Sequence, residues 1–206
     1  MKNLTKFFVM VCLLTFSANT FAQTFGVKAG LNLSNLVLKH NDETLTNSMK
    51  PGFHIGPTAE IPINEMFSFE PAVLLSTKGY KYSEPGYDES INLLYIDVPL
   101  TGKATYDVGG VKIYGAFGPY VGVGLTGKYK TSDSPDYTLK WGKAADDDLE
   151  RFNYGLVFGA GVEFNAFQLG ISYELGLANM APSDAEGEKI HDRVLGISLG
   201  YWFGKE

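Results

Sequence analysis

The stretch that decides the fold is Arg193-Val194-Leu195-Gly196-Ile197-Ser198-Leu199-Gly200-Tyr201-Trp202-Phe203-Gly204. Its odd positions (Arg193, Leu195, Ile197, Leu199, Tyr201, Phe203) are mostly large and apolar, and its even positions are mostly glycine and serine. A period of two is that of an extended strand, whose successive side chains point to opposite faces. A water-soluble sheet turns its apolar face inward to a core. A membrane barrel turns it outward into lipid and fills a narrow interior with small and polar residues. A lipocalin-like soluble barrel would need large apolar residues on the inner face, and glycines, serines and charges stand there instead.

The same alternation occurs in seven earlier segments, whose outward faces run Phe25–Leu33, Phe53–Ile61, Phe67–Leu75, Leu94–Leu100, Val111–Leu125, Phe152–Phe164 and Phe167–Leu177. Most are long enough for a tilted strand to cross a bilayer, which takes about 9–11 residues. Three connections are tight: Asn64-Glu65, Asp107-Val108-Gly109-Gly110 and Asn165-Ala166. Their residue types tolerate left-handed backbone. The other four, about 34–51, 83–90, 127–150 and 179–192, are long and polar. Short turns inside and longer loops outside are the arrangement of outer-membrane barrels. The expected fold is therefore all-β, an eight-stranded antiparallel up-and-down transmembrane β-barrel, with both termini in the periplasm. Phe25, Phe67, Tyr106, Phe164, Phe167, Tyr201 and Phe203 gather at the short-turn end, as an interfacial aromatic girdle would.

Residues Met1–Ala22 carry Lys2 and Lys6, an apolar run Phe7–Phe16 and the small-residue sequence Ser17-Ala18-Asn19-Thr20-Phe21-Ala22. That is the layout of a signal peptide cleaved after Ala22, leaving 23–206 as the barrel domain. The single cysteine, Cys12, lies within the removed segment, so neither a disulfide nor a cysteine metal site is expected. Losing Lys2 and Lys6 takes the formal net charge from −6 to −8, which argues against nucleic acid as a partner. No later stretch approaches 18 apolar residues, the length of a transmembrane helix.

Three stretches resemble one family. Gly26-Val27-Lys28-Ala29-Gly30-Leu31-Asn32-Leu33-Ser34 is similar to the opening strand of the small bacterial outer-membrane β-barrel family (porin-like, PorT-like). Tyr95-Ile96-Asp97-Val98-Pro99-Leu100 with Lys103, and Gly159-Ala160-Gly161-Val162-Glu163-Phe164, resemble its middle and late strands. The resemblance spans essentially all of 23–206 and implies an eight-stranded barrel in a Gram-negative outer membrane. For such a barrel the expected partners are outer-membrane lipid around the wall and the barrel assembly machinery during biogenesis, and the long external loops are candidates to meet an extracellular or envelope protein partner. The chain ends Phe203-Gly204-Lys205-Glu206 where such barrels commonly end on an aromatic, so Tyr201 or Phe203 is expected to serve as that signal.

An eight-stranded barrel leaves an interior just wide enough for side chains to fill. The inward positions include Lys28, His54, Glu60, Glu70, Lys78, Asp97, Lys103, Lys112, Arg151, Glu163 and Glu174. Buried charges persist when paired, so Lys28, Glu60, Glu70, Asp97, Lys103, Lys112, Glu163 and Glu174 are expected to form a lumen charge network. Symmetry about the tight turns makes Glu60 a neighbour of Glu70, and Lys103 a neighbour of Lys112. Glu163 is then expected beside Lys112, and Lys28 beside Glu60. The network reads either as a structural plug or as a path for small ions.

No catalytic motif stands out. His40 and His191 fall in expected external loops, and His54 near the outer end of the second segment. Asp146-Asp147-Asp148 with Glu150 has no calcium-loop spacing, and no metal or cofactor is expected. The Gly-rich run 115–127 keeps strand period and opens no helix, so it is no phosphate loop. Tyr129, Tyr137 and Trp141 in the 127–150 loop are candidate contacts for a partner, or else rim packing. The leading expectation is a non-enzymatic barrel acting through its external loops. The alternatives are a narrow porin-like channel for small solutes and an outer-membrane lipid-modifying enzyme.

Overall fold

Alternating side chains build strands that cannot bury their backbone groups alone in lipid, so the chain must close on itself. The computed structural model describes residues 23–40, 43–45, 48–142, 144, 147–182 and 188–205. The expected signal peptide, 1–22, lies outside the described residues, as do the side chain of His40 and Asp146. Among the described residues there are eleven strands and no helix: β1 Thr24–His40, β2 Glu43–Leu45, β3 Lys50–Pro62, β4 Phe67–Pro71, β5 Leu74–Glu84, β6 Tyr87–Asp107, β7 Lys112–Thr131, β8 Ser134–Thr138, β9 Phe152–Phe164, β10 Phe167–Gly176 and β11 Glu188–Trp202.

All pairings between these strands are antiparallel. β1 pairs with β3, β3 with β4 and β5, both of these with β6, and then β6 with β7, β7 with β9, β9 with β10, and β10 with β11. β11 returns to β1 in a register running from Gly26↔Trp202 to His40↔Glu188, which closes the ring. Closure leaves no strand edge exposed to hydrocarbon, the condition for a sheet to span a bilayer. β4 and β5 are one wall position interrupted at Ala72-Val73, so the wall has the eight positions expected of an all-β, eight-stranded, up-and-down barrel. β2 and β8 are short additions to β1 and β7 at the loop end.

Burial is inverted relative to a soluble protein. Leu31, Ile171, Ile197 and Leu199 are 52–69% exposed, whereas Lys78, Asp97 and Lys103 are 0–1% exposed. The outward face of β9 is exposed from Phe152 to Phe164. Twelve rises of about 3.3 Å, tilted by about 40°, give an apolar band of roughly 30 Å. The seven aromatics expected as a girdle are all exposed, and Tyr201 lies 5.3 Å from Phe167 and 5.6 Å from Phe203 between ring centres.

The connections differ from the sequence reading at the outer end. β5 and β6 stay paired out to Glu84↔Tyr87, so the connection expected at 83–90 is the two-residue turn Pro85-Gly86, with Gly86 at φ +89°. β1 continues to His40, β7 to Thr131, and β11 begins at Glu188. Polar residues on both faces hid these extensions, because a strand projecting beyond the bilayer has no reason to alternate. The short-turn end conforms: Asn165 sits at φ +50°, and Gly109 and Gly110 at +69° and +94°.

Candidate functional site

The interior is ordered in layers along the axis. At the short-turn end lie three lysines and three glutamates. Lys103 Nζ is 2.5 Å from Glu60, 3.0 Å from Glu70 and 2.6 Å from Glu163. Lys28 lies 2.5 Å from Glu70, and Lys205 lies 2.5 Å from Glu60 and 3.4 Å from Glu163. Gln168 Nε2 donates to Glu70 and Glu163 at 3.0 Å each, and the Trp202 ring sits between Lys103 and Lys205 at 5.2 and 5.0 Å. Charges of equal number, all of them paired and most with more than one partner, satisfy the condition for burying ions.

Farther out is a cavity of about 70 Å³ lined by Asn32, His54, Ala72, Leu74, Val157, Val194 and Ser198, with Lys28 and Glu70 at one side and Glu174 at the other. Asn32 Nδ2 donates to Phe53 O, Ser76 Oγ and Thr77 O, which turns its Oδ1 to His54 Nδ1 at 2.7 Å. His54 Nε2 therefore accepts from Ser198 Oγ at 2.9 Å. The Ser198–His54–Asn32 chain has the connectivity of a nucleophile, base and orienting group. Its surroundings do not suit acyl transfer, because the cavity of about 70 Å³ is of a size to hold a few waters.

A second charged layer follows. Lys78 Nζ lies 2.9 Å from Asp192 and 3.2 Å from both Asp97 and Glu174, 4.6 Å above the Tyr120 ring. Asp192 also accepts from Tyr120 Oη at 3.1 Å and Asn153 Nδ2 at 2.9 Å. Beyond it an apolar cluster of Leu36, Tyr80, Leu93, Tyr95, Leu139, Leu149 and Met180 caps the outer end. Tyr80 donates a hydrogen bond to Glu89 there, on the part of the hairpin outside the bilayer.

Several expected pairings are rearranged. Lys112 stands apart from the network: it is exposed at the short-turn mouth and makes no ion pair among the described residues. The turn 108–111 pairs Asp107 with Lys112, which sets Lys103 opposite Ala116, not beside Lys112. Glu163 does sit opposite Lys112 in register, yet its carboxylate turns inward to Lys103. Lys28 meets Glu70 and not Glu60, because its partner on β3 is Gly56, four residues above Glu60. Arg151 is exposed outside the lumen, donating to Gly124 O at 3.1 Å with its guanidinium 5.9 Å from the Trp141 ring. Sequence reasoning did not include Asp192, which falls where a loop was expected, or Lys205, which follows the last strand. The turn at Gly204, φ +79°, brings Lys205 back over the mouth.

The loop aromatics divide. Trp141 is half-buried, edge-on to Tyr95 at 5.7 Å, and Tyr129 packs on the same apolar cap. Tyr137 is 43% exposed. Asp147 and Asp148 accept from backbone N–H groups of Ala144 and Lys140, so they fold their own loop.

A closed antiparallel barrel with an apolar outside and a charged, filled inside is matched by the family profile described as outer membrane protein beta-barrel domain, over residues 21–181. The chain belongs to that family. It is a protein of the cell outer membrane. Among solved structures, this outer-membrane barrel is similar to Ail of Yersinia pestis, solved in complex with the heparin analogue sucrose octasulfate. The two share 18% identity, covering 87% of this chain and 99% of that one, at a TM-score of 0.41. It is also similar to Neisserial surface protein A, at 15% identity over 86% of this chain and 96% of the other, with a TM-score of 0.47. No curated protein sequence matches it.

Proposed function

We propose that this outer-membrane barrel is a non-enzymatic, non-conducting wall that presents its external loops to an extracellular or envelope partner. The observation that supports a plug is the pair of buried lysines, Lys103 and Lys78, each drawn to three carboxylates at different levels of the lumen. A solute on the axis would have to displace both layers and the apolar cap. Charged side chains from seven of the eight wall positions converge on these layers, so no single rotamer change opens a path. With the interior occupied, the external loops are the surface through which the barrel would meet a partner. The Ser198–His54–Asn32 chain is assigned a structural role, since it ties β1, β3 and β11 together inside a water-sized cavity.

The test is single-channel conductance of the refolded mature protein in a planar bilayer. The plug predicts no steps above background, and no labelling of Ser198 by a fluorophosphonate probe. Reproducible steps, shifted by Glu60→Gln or Lys103→Met, would make the lumen a solute path and overturn the proposal.

A further inference from the structure

The two charged layers are not equivalent. The inner one balances three lysines against three glutamates. The outer one sets Lys78 alone against Asp97, Glu174 and Asp192, a formal sum of −2 with every group ionised. Among the described residues no other cation forms an ion pair with these acids: Lys50 of β3 faces inward one level farther out, beside Gly79, without reaching a carboxylate, Arg193 is exposed, Arg151 is exposed at the loop end, and Lys28 is engaged by Glu70 across the cavity. The remaining titratable groups facing Lys78 are Tyr95 from β6 and Tyr120 from β7. β9 contributes Asn153, β1 offers Asn32 and Ser34, and His54 of β3 faces the cavity.

Hydrogen bonding separates the three acids. Asp192 takes the donors of Lys78, Tyr120 and Asn153, and so is provided for as a carboxylate. Asp97 is fully buried, with Lys78 at 3.2 Å and Ser76 as its polar neighbours and no well-aligned hydrogen bond to either carboxylate oxygen. Glu174 Oε2, 3.2 Å from the shared Lys78, and the buried Asn153 Oδ1 likewise have no well-aligned donor. The layer is thus short of donors and of positive charge together, and one ligand supplies both. A proton converts an acceptor-only carboxylate into an acid that donates its own O–H.

We propose that the outer layer is a proton-binding site, in which at least one of Asp97 and Glu174 is the neutral carboxylic acid in the folded barrel near neutral pH. The cavity gives the proton a place to exchange, since Glu174 lines it together with His54. The folded barrel then holds a proton that the unfolded chain releases at that pH, so its stability falls as pH rises until the site is stripped.

The experiment uses the refolded mature protein in detergent micelles and does not depend on whether the lumen conducts. Infrared spectra at about pH 7 are expected to show the C=O stretch of a protonated carboxylic acid, shifted in D2O and lost in Asp97→Asn/Glu174→Gln. The thermal midpoint of the wild type is expected to fall by several degrees between about pH 6 and pH 9, and that of the double variant to stay level. Absence of the acid band from the wild type at pH 7 overturns the proposal, even if the double variant fails to fold. So does a wild-type midpoint that responds to sodium at constant ionic strength and not to pH, which would make the ligand a metal cation.

Discussion

Lys103 and Lys112 show how far one position can be read from the chain. Both are lysines on the inward face near the same tight turn, and alternation treats them alike. Lys103 is fully buried against three glutamates, and Lys112 is exposed at the mouth. Removing the charge of Lys103 leaves three glutamates to two lysines in a largely buried layer, and breaking a buried pair this way costs about 3–5 kcal/mol. Lys103→Met is expected to lower the urea unfolding midpoint accordingly, whereas Lys112→Met leaves it where it is. Equal midpoints for wild type and Lys103→Met would show that the glutamates do not depend on this lysine. Combining Lys103→Met with Glu163→Gln is expected to recover part of the loss, because the two residues are coupled through a 2.6 Å contact. The sequence identified Glu60, Glu70, Glu163 and Lys28 as inward, since facing follows from parity alone. Which lysine each would meet was not legible, because Lys28–Glu70 and Lys103–Glu163 join strands that are not neighbours in the wall.

At the scale of the strand, glycines differ by the face they occupy. Gly161 and Gly170 are partners across β9 and β10, and together they make the hollow that receives the Tyr114 side chain. A Cβ on Gly161 would come 2.2 Å from Leu169 O and 2.7 Å from Tyr114 Oη, so the backbone itself would have to shift. Gly115 on β7 faces outward, and a Cβ there meets nothing within 4 Å. Gly161→Val is therefore expected to destabilise the barrel by about 1–3 kcal/mol, while Gly115→Val folds normally, as denaturant melts of the two would report. A bulge opposite Leu94/Tyr95 also resets parity on β7: Leu125 and Thr126 both face out, and Gly127 returns to the interior. The bulge lets Tyr129 turn onto the apolar cap, which simple alternation along 115–127 does not convey.

For the whole molecule, closure between β1 and β11 is the property that every other feature depends on. A closed barrel resists detergent until heated, so an unboiled gel sample of the mature protein is expected to migrate differently from a boiled one. Identical mobility would contradict closure. Deleting residues 188–205 is expected to abolish the shift, since β1 and β10 would both lose their partner. By itself the sequence determined the wall: strand number, the lipid-facing side and the end with short turns all follow from local alternation and turn chemistry. The physical cause is the bilayer, which imposes one rule on every strand in turn. Only the tertiary structure decided the interior and the outer end. Asp192 and Lys205 enter the lumen, and Trp141, Leu139, Leu149 and Met180 fold over it, through register across the ring and the path of the loops. These contacts join residues separated by most of the chain, and no local pattern specifies distances of that kind.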